Sequence, residues 1–137
     1  MMNKVIAIDT NVLIYLHDNS DQGKRIIAQN LLADNPKISS QVVSEYLNTT
    51  RRLLALSKED LLIQTSGLFA ACIITTVLPS TLLFAANLVK KYQFQLFDAI
   101  IVASAIEGNC NILYSEDLHH GLVVDKSLTI INPFKTK

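Results

Sequence analysis

A chain of 137 residues, half of them hydrophobic, fits one domain with a full core, which excludes dependence on cross-links. Its 12 Lys and Arg balance 12 Asp and Glu, so net charge argues neither for nor against a nucleic-acid partner, and any basic patch has to be local. Cys72 and Cys110 match no metal or redox spacing and lie in apolar stretches, as buried free thiols of a reducing cytosol do. The opening MMNKVIAIDT lacks the long apolar core of a signal peptide, so a cytoplasmic chain is expected.

In chain order, Val5, Ile6 and Ile8 form a short β-branched run that reads as a central strand buried on both faces. Asp9 ends the run, and Thr10-Asn11 lead into Val12–Leu16, a short helix. Asp9, Thr10 or Asn11 can serve simply as the cap of that helix; an ionised carboxylate leaving a buried strand nevertheless needs compensation. Asp21 caps a helix to about Asp34, with Ile26, Ile27, Leu31 and Leu32 on its apolar stripe. Asn35-Pro36 stops it, and Lys37–Ser39 is a very short strand. Ser39 or Ser40 caps a helix that carries Val42, Val43, Tyr46 and Leu47 inward and ends near Leu54. Ser57 to Asp60 has capping-box spacing and opens a helix through about Phe69.

Ile73–Val77 reads as a strand. After Pro79, Ser80 caps a helix whose Leu82, Ala85, Ala86, Val89 and Tyr92 follow helical spacing. Another helix spans about Phe97–Glu107, with Gly108 as its left-handed end. Asn111–Tyr114 and Leu128–Ile131 are the last strands, before Pro133. The stretch from Leu61 to Val89 carries no charge and is long enough on paper to cross a bilayer. Its Ser, Thr, Asn and Gln residues and the central Pro79 favour two buried helices joined by a short strand or turn instead. Alternation of this kind, with no repeat and no internal boundary, predicts a single α/β domain over 1–137: a three-layer sandwich with a central, mostly parallel sheet flanked by helices.

Four acids then fall into place. Asp9 and Asp117 follow strands, where sites of open α/β sheets lie. Glu45 and Asp98 sit near the starts of helices that flank them. Two carboxylates about 4 Å apart repel by roughly 4 kcal/mol at an effective dielectric of 20, so such a pocket needs a cation or raised pKa values. An all-oxygen set without His or Cys points to Mg2+ or Mn2+ rather than zinc. Such an ion generates hydroxide and stabilises a developing phosphoryl oxyanion, which suits phosphodiester hydrolysis.

The motifs themselves resemble a known family. Asp9-Thr10-Asn11 behind an apolar strand, Gln41 to Glu45, Phe97-Asp98-Ala99 with Ala103, and Tyr114-Ser115-Glu116-Asp117 followed by His120-Gly121 look like the PIN-domain nucleases. More narrowly they look like the toxin component of VapBC toxin–antitoxin pairs, to whose last strand Ile131-Asn132-Pro133-Phe134 is also similar. The resemblance implies an endoribonuclease in which Asp9, Glu45, Asp98 and Asp117 bind Mg2+ or Mn2+ and Asn11 and Ser115 support them. It further implies an RNA substrate, a cognate antitoxin, a homodimer and no membrane association. Glu116 either joins the site or faces solvent, and the solvent reading is favoured.

The blander readings stand beside these. His17 is expected at a helix end, and His119 and His120 as a surface loop pair. Arg51-Arg52 and Lys90-Lys91 read as solvated faces, although Arg51 or Arg52 lies close enough to Glu45 to reach an RNA phosphate. Leu61–Phe69 is mostly core, with part available as a dimer or antitoxin surface. Two rivals remain at this point. One is a receiver-type, Mg2+-binding signalling domain, although Asp9 lacks the acid pair that reading wants. The other is a non-catalytic PIN-like binding module.

Overall fold

The computed structural model describes residues 4–135. Short β-branched runs become a six-stranded sheet: β1 Ile6–Ile8, β2 Lys37–Ser39, β3 Ile73–Thr75, β4 Ile112–Tyr114, β5 Val123–Val124 and β6 Leu128–Ile131. The strand order is β3-β2-β1-β4-β6-β5, and every pairing is parallel except β5 with β6. Strand β1 is central and wholly buried, as its unbroken apolar sequence requires. It pairs with β4 in the register Ile6 to Ile112, Ala7 to Leu113 and Ile8 to Tyr114. From β1 the chain first builds outward to β2 and β3, then returns to the other side with β4. The order therefore reverses between β1 and β4, where the carboxyl ends of the two strands open a crevice.

The helices are α1 Thr10–Leu13, continued by a 3-10 turn over Ile14–His17, then α2 Gln22–Leu32, α3 Ser40–Leu53, α4 Lys58–Phe69, α5 Pro79–Tyr92 and α6 Leu96–Glu107. The starts of α1 to α4 are sealed by side chains. Asp21 accepts from Lys24 N at 3.1 Å and Ser57 from Asp60 N at 3.1 Å. Of the two serines before α3, Ser39 is the cap, accepting from Gln41 N at 3.1 Å. Ser40 instead accepts from Val77 N at 3.2 Å and ties β3's exit to α3.

Helix α6 is buried continuously from Ala99 to Ala105. Its Ala99, Ala103 and Ala105 let it approach neighbours closely, and it packs on α3, α5, β2 and β4. Ser104 is satisfied there by the Ser39 hydroxyl, 3.2 Å away. The core that results joins β1, β4 and β6 to α1, α3, α5 and α6.

Several expectations shift. Strand β5 was not foreseen, because two residues carry no readable period. Strand β3 stops at Thr75 rather than Val77, and as an edge strand it leaves Ile73 57% exposed. Helix α5 begins at Pro79, not after Ser80. Proline suits a first helical position, and Thr81 Oγ1 accepts from Leu78 N at 3.1 Å. Gly108 has φ −78°, and the left-handed residue is Asn109, φ 60°, one position on. Ile26 is 53% exposed, while Ala28 is the residue α2 buries.

The uncharged stretch does form two helices around a strand, but neither helix is buried throughout. Helix α4 buries Leu61, Thr65 and Phe69, and α5 buries Thr81, Ala85 and Leu88. Leu62, Ile63, Leu82 and Leu83 face outward. Among the described residues no helix is long and apolar enough to cross a membrane. Cys110 is buried and Cys72 half-buried, both as free thiols.

Candidate active site

The crevice at the β1–β4 reversal holds a cleft of about 490 Å3, lined by Asp9, Thr10, Asn11, Ile14, Tyr15, Asp18, Glu45, Thr49, Asp98, Glu116 and Asp117. All four acids expected from the sequence are among them. Asp9 continues β1 by one rung, its N–H donating to Tyr114 O at 2.9 Å. It also caps α1, with Oδ1 accepting from Thr10 N at 2.7 Å. One side chain thus both caps α1 and lines the cleft.

Asp9 is only 4% exposed. Its Oδ2 accepts from Ser115 Oγ at 2.9 Å and more weakly from Asn11 Nδ2 at 3.4 Å. Asn11 Oδ1 in turn accepts from Glu116 N at 3.1 Å, which fixes the loop after β4 against α1. Ser115 is held by its own N–H, donated to Ile131 O at 3.0 Å. Both residues expected as supports therefore touch the carboxylate they support. Burial, joined by the fields of Asp98 and Glu45, pushes Asp9 up to about 6, against the hydrogen bonds of Ser115 and Thr10 that favour its charge.

Glu45 reaches the cleft from the second turn of α3. Thr10 Oγ1 donates to its Oε2 at 3.1 Å and Gln41 Nε2, one helical turn back, to its Oε1 at 3.2 Å. Asp98 stands in the first turn of α6, where the helix dipole favours an anion. Burial, and then the charges of Glu45 and Asp117, nevertheless raise its pKa. Asp117 is exposed on the loop after β4.

Sequence reading did not assign six members of the cleft: Thr10, Ile14, Tyr15, Asp18, Thr49 and Glu116. Thr10 and Tyr15 carried a hint in their nearness to Asp9. Asp18 and Thr49 carried none. Glu116 does not face solvent: Lys24 Nζ donates to its Oε2 and Tyr15 OH to its Oε1, each at 2.7 Å. Nothing in the linear pattern links Lys24 to that loop.

His119 and His120 are exposed and outside the cleft, and His17 at the end of the 3-10 turn bonds Tyr46 OH instead. Arg51 and Arg52 are exposed at the end of α3. Lys91 pairs with Asp125 at 2.8 Å.

Among the described residues no lysine or arginine lines this cleft, and of its acids Glu116 alone has an ion-pair partner there. Among the described residues no three His, Cys, Asp or Glu are grouped tightly enough to enclose a metal ion. A closed cage is not what the donor chemistry asks for. A hard ion such as Mg2+ keeps several waters and needs only one or two carboxylates with substrate phosphate. Carboxylate oxygens fit that requirement, and Asp9 and Asp98 are raised in pKa first by burial and then by neighbouring carboxylates; among the described residues no thiol or imidazole stands in the cleft to suit zinc.

Fold and site together define an α/β protein with an acidic cleft at the switch point of a parallel sheet. The chain belongs to the PIN-domain family, whose model matches residues 6–123. That assignment, with a strand order no receiver domain has, removes the signalling alternative.

Among solved structures the chain is similar to a toxin–antitoxin complex from Klebsiella pneumoniae, at 19% identity and TM-score 0.72, covering 97% of this chain and 100% of that one. It is similar to VapC20 of Mycobacterium tuberculosis, a sarcin-ricin loop cleaving toxin, at 17% identity and TM-score 0.65, covering 82% and 89%. DNA-bound VapBC from Salmonella typhimurium aligns at 18% identity and TM-score 0.66, covering 93% and 97%. No curated protein matches.

Proposed function

We propose that this chain is a divalent-metal-dependent endoribonuclease, the toxin of a toxin–antitoxin pair acting in the cytoplasm. The reading is carried by one observation: Asp9, Glu45, Asp98 and Asp117, from four separate segments, line one cleft with no cation among its walls. Asp9, Glu45, Asp98 and Asp117 would hold Mg2+ or Mn2+. When bound, the ion supplies an activated water and charge stabilisation for the phosphoryl group under attack.

The protein's own contribution is placement. Ser115, Asn11 and the Thr10 amide orient Asp9, and Thr10 and Gln41 fix both oxygens of Glu45. Asp98 is presented by the rigid, buried α6. No Ser, Cys or His nucleophile is required.

The solved structures that this chain resembles include toxin–antitoxin complexes, which supports an antitoxin partner here. The outward Leu62, Ile63, Leu82 and Leu83 are an apolar surface suited to that partner or to a homodimer.

The test uses purified chain and single-stranded RNA. Cleavage is expected with Mg2+ or Mn2+, is stopped by EDTA, and is lost in Asp98→Asn while the variant stays folded. Expression without a partner slows growth, and Asp98→Asn relieves it. Cleavage that persists in EDTA, or full activity of Asp98→Asn, overturns the mechanism. A folded protein that never cleaves RNA is the non-catalytic binding module.

A further inference from the structure

Glu116 is the one acid of the cleft wall already matched by a cation. Lys24 Nζ lies 2.7 Å from its Oε2 and also donates to Tyr15 OH at 3.2 Å, while Tyr15 OH donates to Oε1 at 2.7 Å. The ammonium stands over two rings, 4.6 Å from the centroid of Tyr15 and 5.1 Å from that of Phe134. Those rings meet edge to face at 4.9 Å.

The main chain of Glu116 points the other way. Its N–H donates to Asn11 Oδ1, and Asn11 Nδ2 reaches Asp9 Oδ2 and Ser115 Oγ, each at 3.4 Å. A carboxylate whose backbone is bonded into the support of Asp9 is therefore turned aside by a lysine from α2, an element that supplies none of the four acids.

We propose that Lys24 is a positioning residue: with Tyr15 it holds the Glu116 carboxylate in the cleft wall and out of the ion site. The proposal rests on the reading of Asp9, Glu45, Asp98 and Asp117 as that site. Its consequence follows from ligand charge count, which sets affinity for a hard cation. With Glu116 held back, its charge is not added to those of Asp9, Glu45, Asp98 and Asp117 at the ion, and room is left for substrate phosphate.

The experiment is Mn2+ binding by calorimetry on the intact chain, comparing wild type, Lys24→Met, Glu116→Gln, the double variant and Asp98→Asn. Glu116→Gln alone is expected to change the Mn2+ Kd by less than about twofold, because its charge is already paired. Lys24→Met tightens binding about fivefold, through the added carboxylate, and slows RNA cleavage. Both effects disappear in the double variant.

Tyr15→Phe removes one of the two holds on the carboxylate. It shifts binding in the same direction by less, which keeps the test decisive if Lys24→Met folds poorly. A fixed Glu116 acting through space alone makes the two substitutions additive. Additivity, or weakened Mn2+ binding in Lys24→Met, overturns the clamp while Asp98→Asn still abolishes binding. Mn2+ binding unchanged in Asp98→Asn instead overturns the ion site, and the clamp with it.

Discussion

Asp9 caps a helix and lines the cleft at a cost in stability. Its carboxyl is buried and titrates near 6 in the folded chain, above the ordinary 3.8. A carboxylate raised in this way binds its proton more tightly folded than unfolded, so its protonation stabilises the fold as pH falls from about 7 toward 4 and is lost as pH rises through 6. The metal-free protein is therefore expected to gain stability on mild acidification from this group, by about 2–3 kcal/mol at most. In Asp9→Asn the gain is absent. Asparagine keeps the acceptor for Thr10 N, so the apo variant should be as stable as wild type at pH 7.5 or more so. Urea titrations at pH 5 and 7.5 on both proteins check this; a strongly destabilised Asp9→Asn makes Asp9 a structural cap only. The histidines separate in the opposite sense. His17 bonds the buried Tyr46, so His17→Ala should lower stability by about 1 kcal/mol while RNA cleavage is kept. His119→Ala and His120→Ala, on an exposed loop, should leave both nearly unchanged, measured by melting and by cleavage.

At the scale of elements, α4 and α5 carry apolar residues on more than the face they bury. Leu88 is fully enclosed, and Leu88→Ala should cost about 2–5 kcal/mol. Ile63, 69% exposed, and Leu83, 76% exposed, touch no core, so Ile63→Glu and Leu83→Glu should move stability by about 0.5 kcal/mol or less. The same two substitutions should weaken self-association or partner capture, read by light scattering and co-purification; unchanged association removes this surface from the interface. The breadth of apolar residues also explains what could be read in advance. Helix α6 is apolar on all sides from Ala99 to Ala105, and that stretch is buried, while Leu96 and Phe97 before it are exposed. In α5 the series Leu82, Ala86, Val89 and the series Thr81, Ala85, Leu88 both have helical spacing, and periodicity could not choose between faces one residue apart. The choice is made in three dimensions by α6, against which α5 packs. Strand β5 was illegible for a different reason: it exists only because β6 offers it an edge.

At the scale of the molecule, the four acids were legible as an ordered pattern, and their convergence follows from the chain crossing between β1 and β4. The hydrogen bonds that aim them were less so. Asn11 and Ser115 were foreseen, but Thr10 and Gln41 on Glu45 and Lys24 on Glu116 depend on helix placement that spacing alone does not encode. The same convergence leads to the last prediction, in which one substitution moves two quantities in opposite senses. Without an ion, burial and then the charges of Glu45 and Asp117 raise Asp98, so Asp98→Asn removes a desolvation cost and repulsion and should leave the apo melting temperature equal or higher. With Mg2+ or Mn2+ at about 100 times its Kd, the wild type should gain about 2.7 kcal/mol by mass action, a rise of several degrees. Asp98→Asn should lose most of that rise, and Zn2+ should show no selective advantage at oxygen donors. A merely structural Asp98 lowers the apo melting temperature and leaves the ion-dependent increment intact, so a single thermal series with and without Mg2+ separates the two.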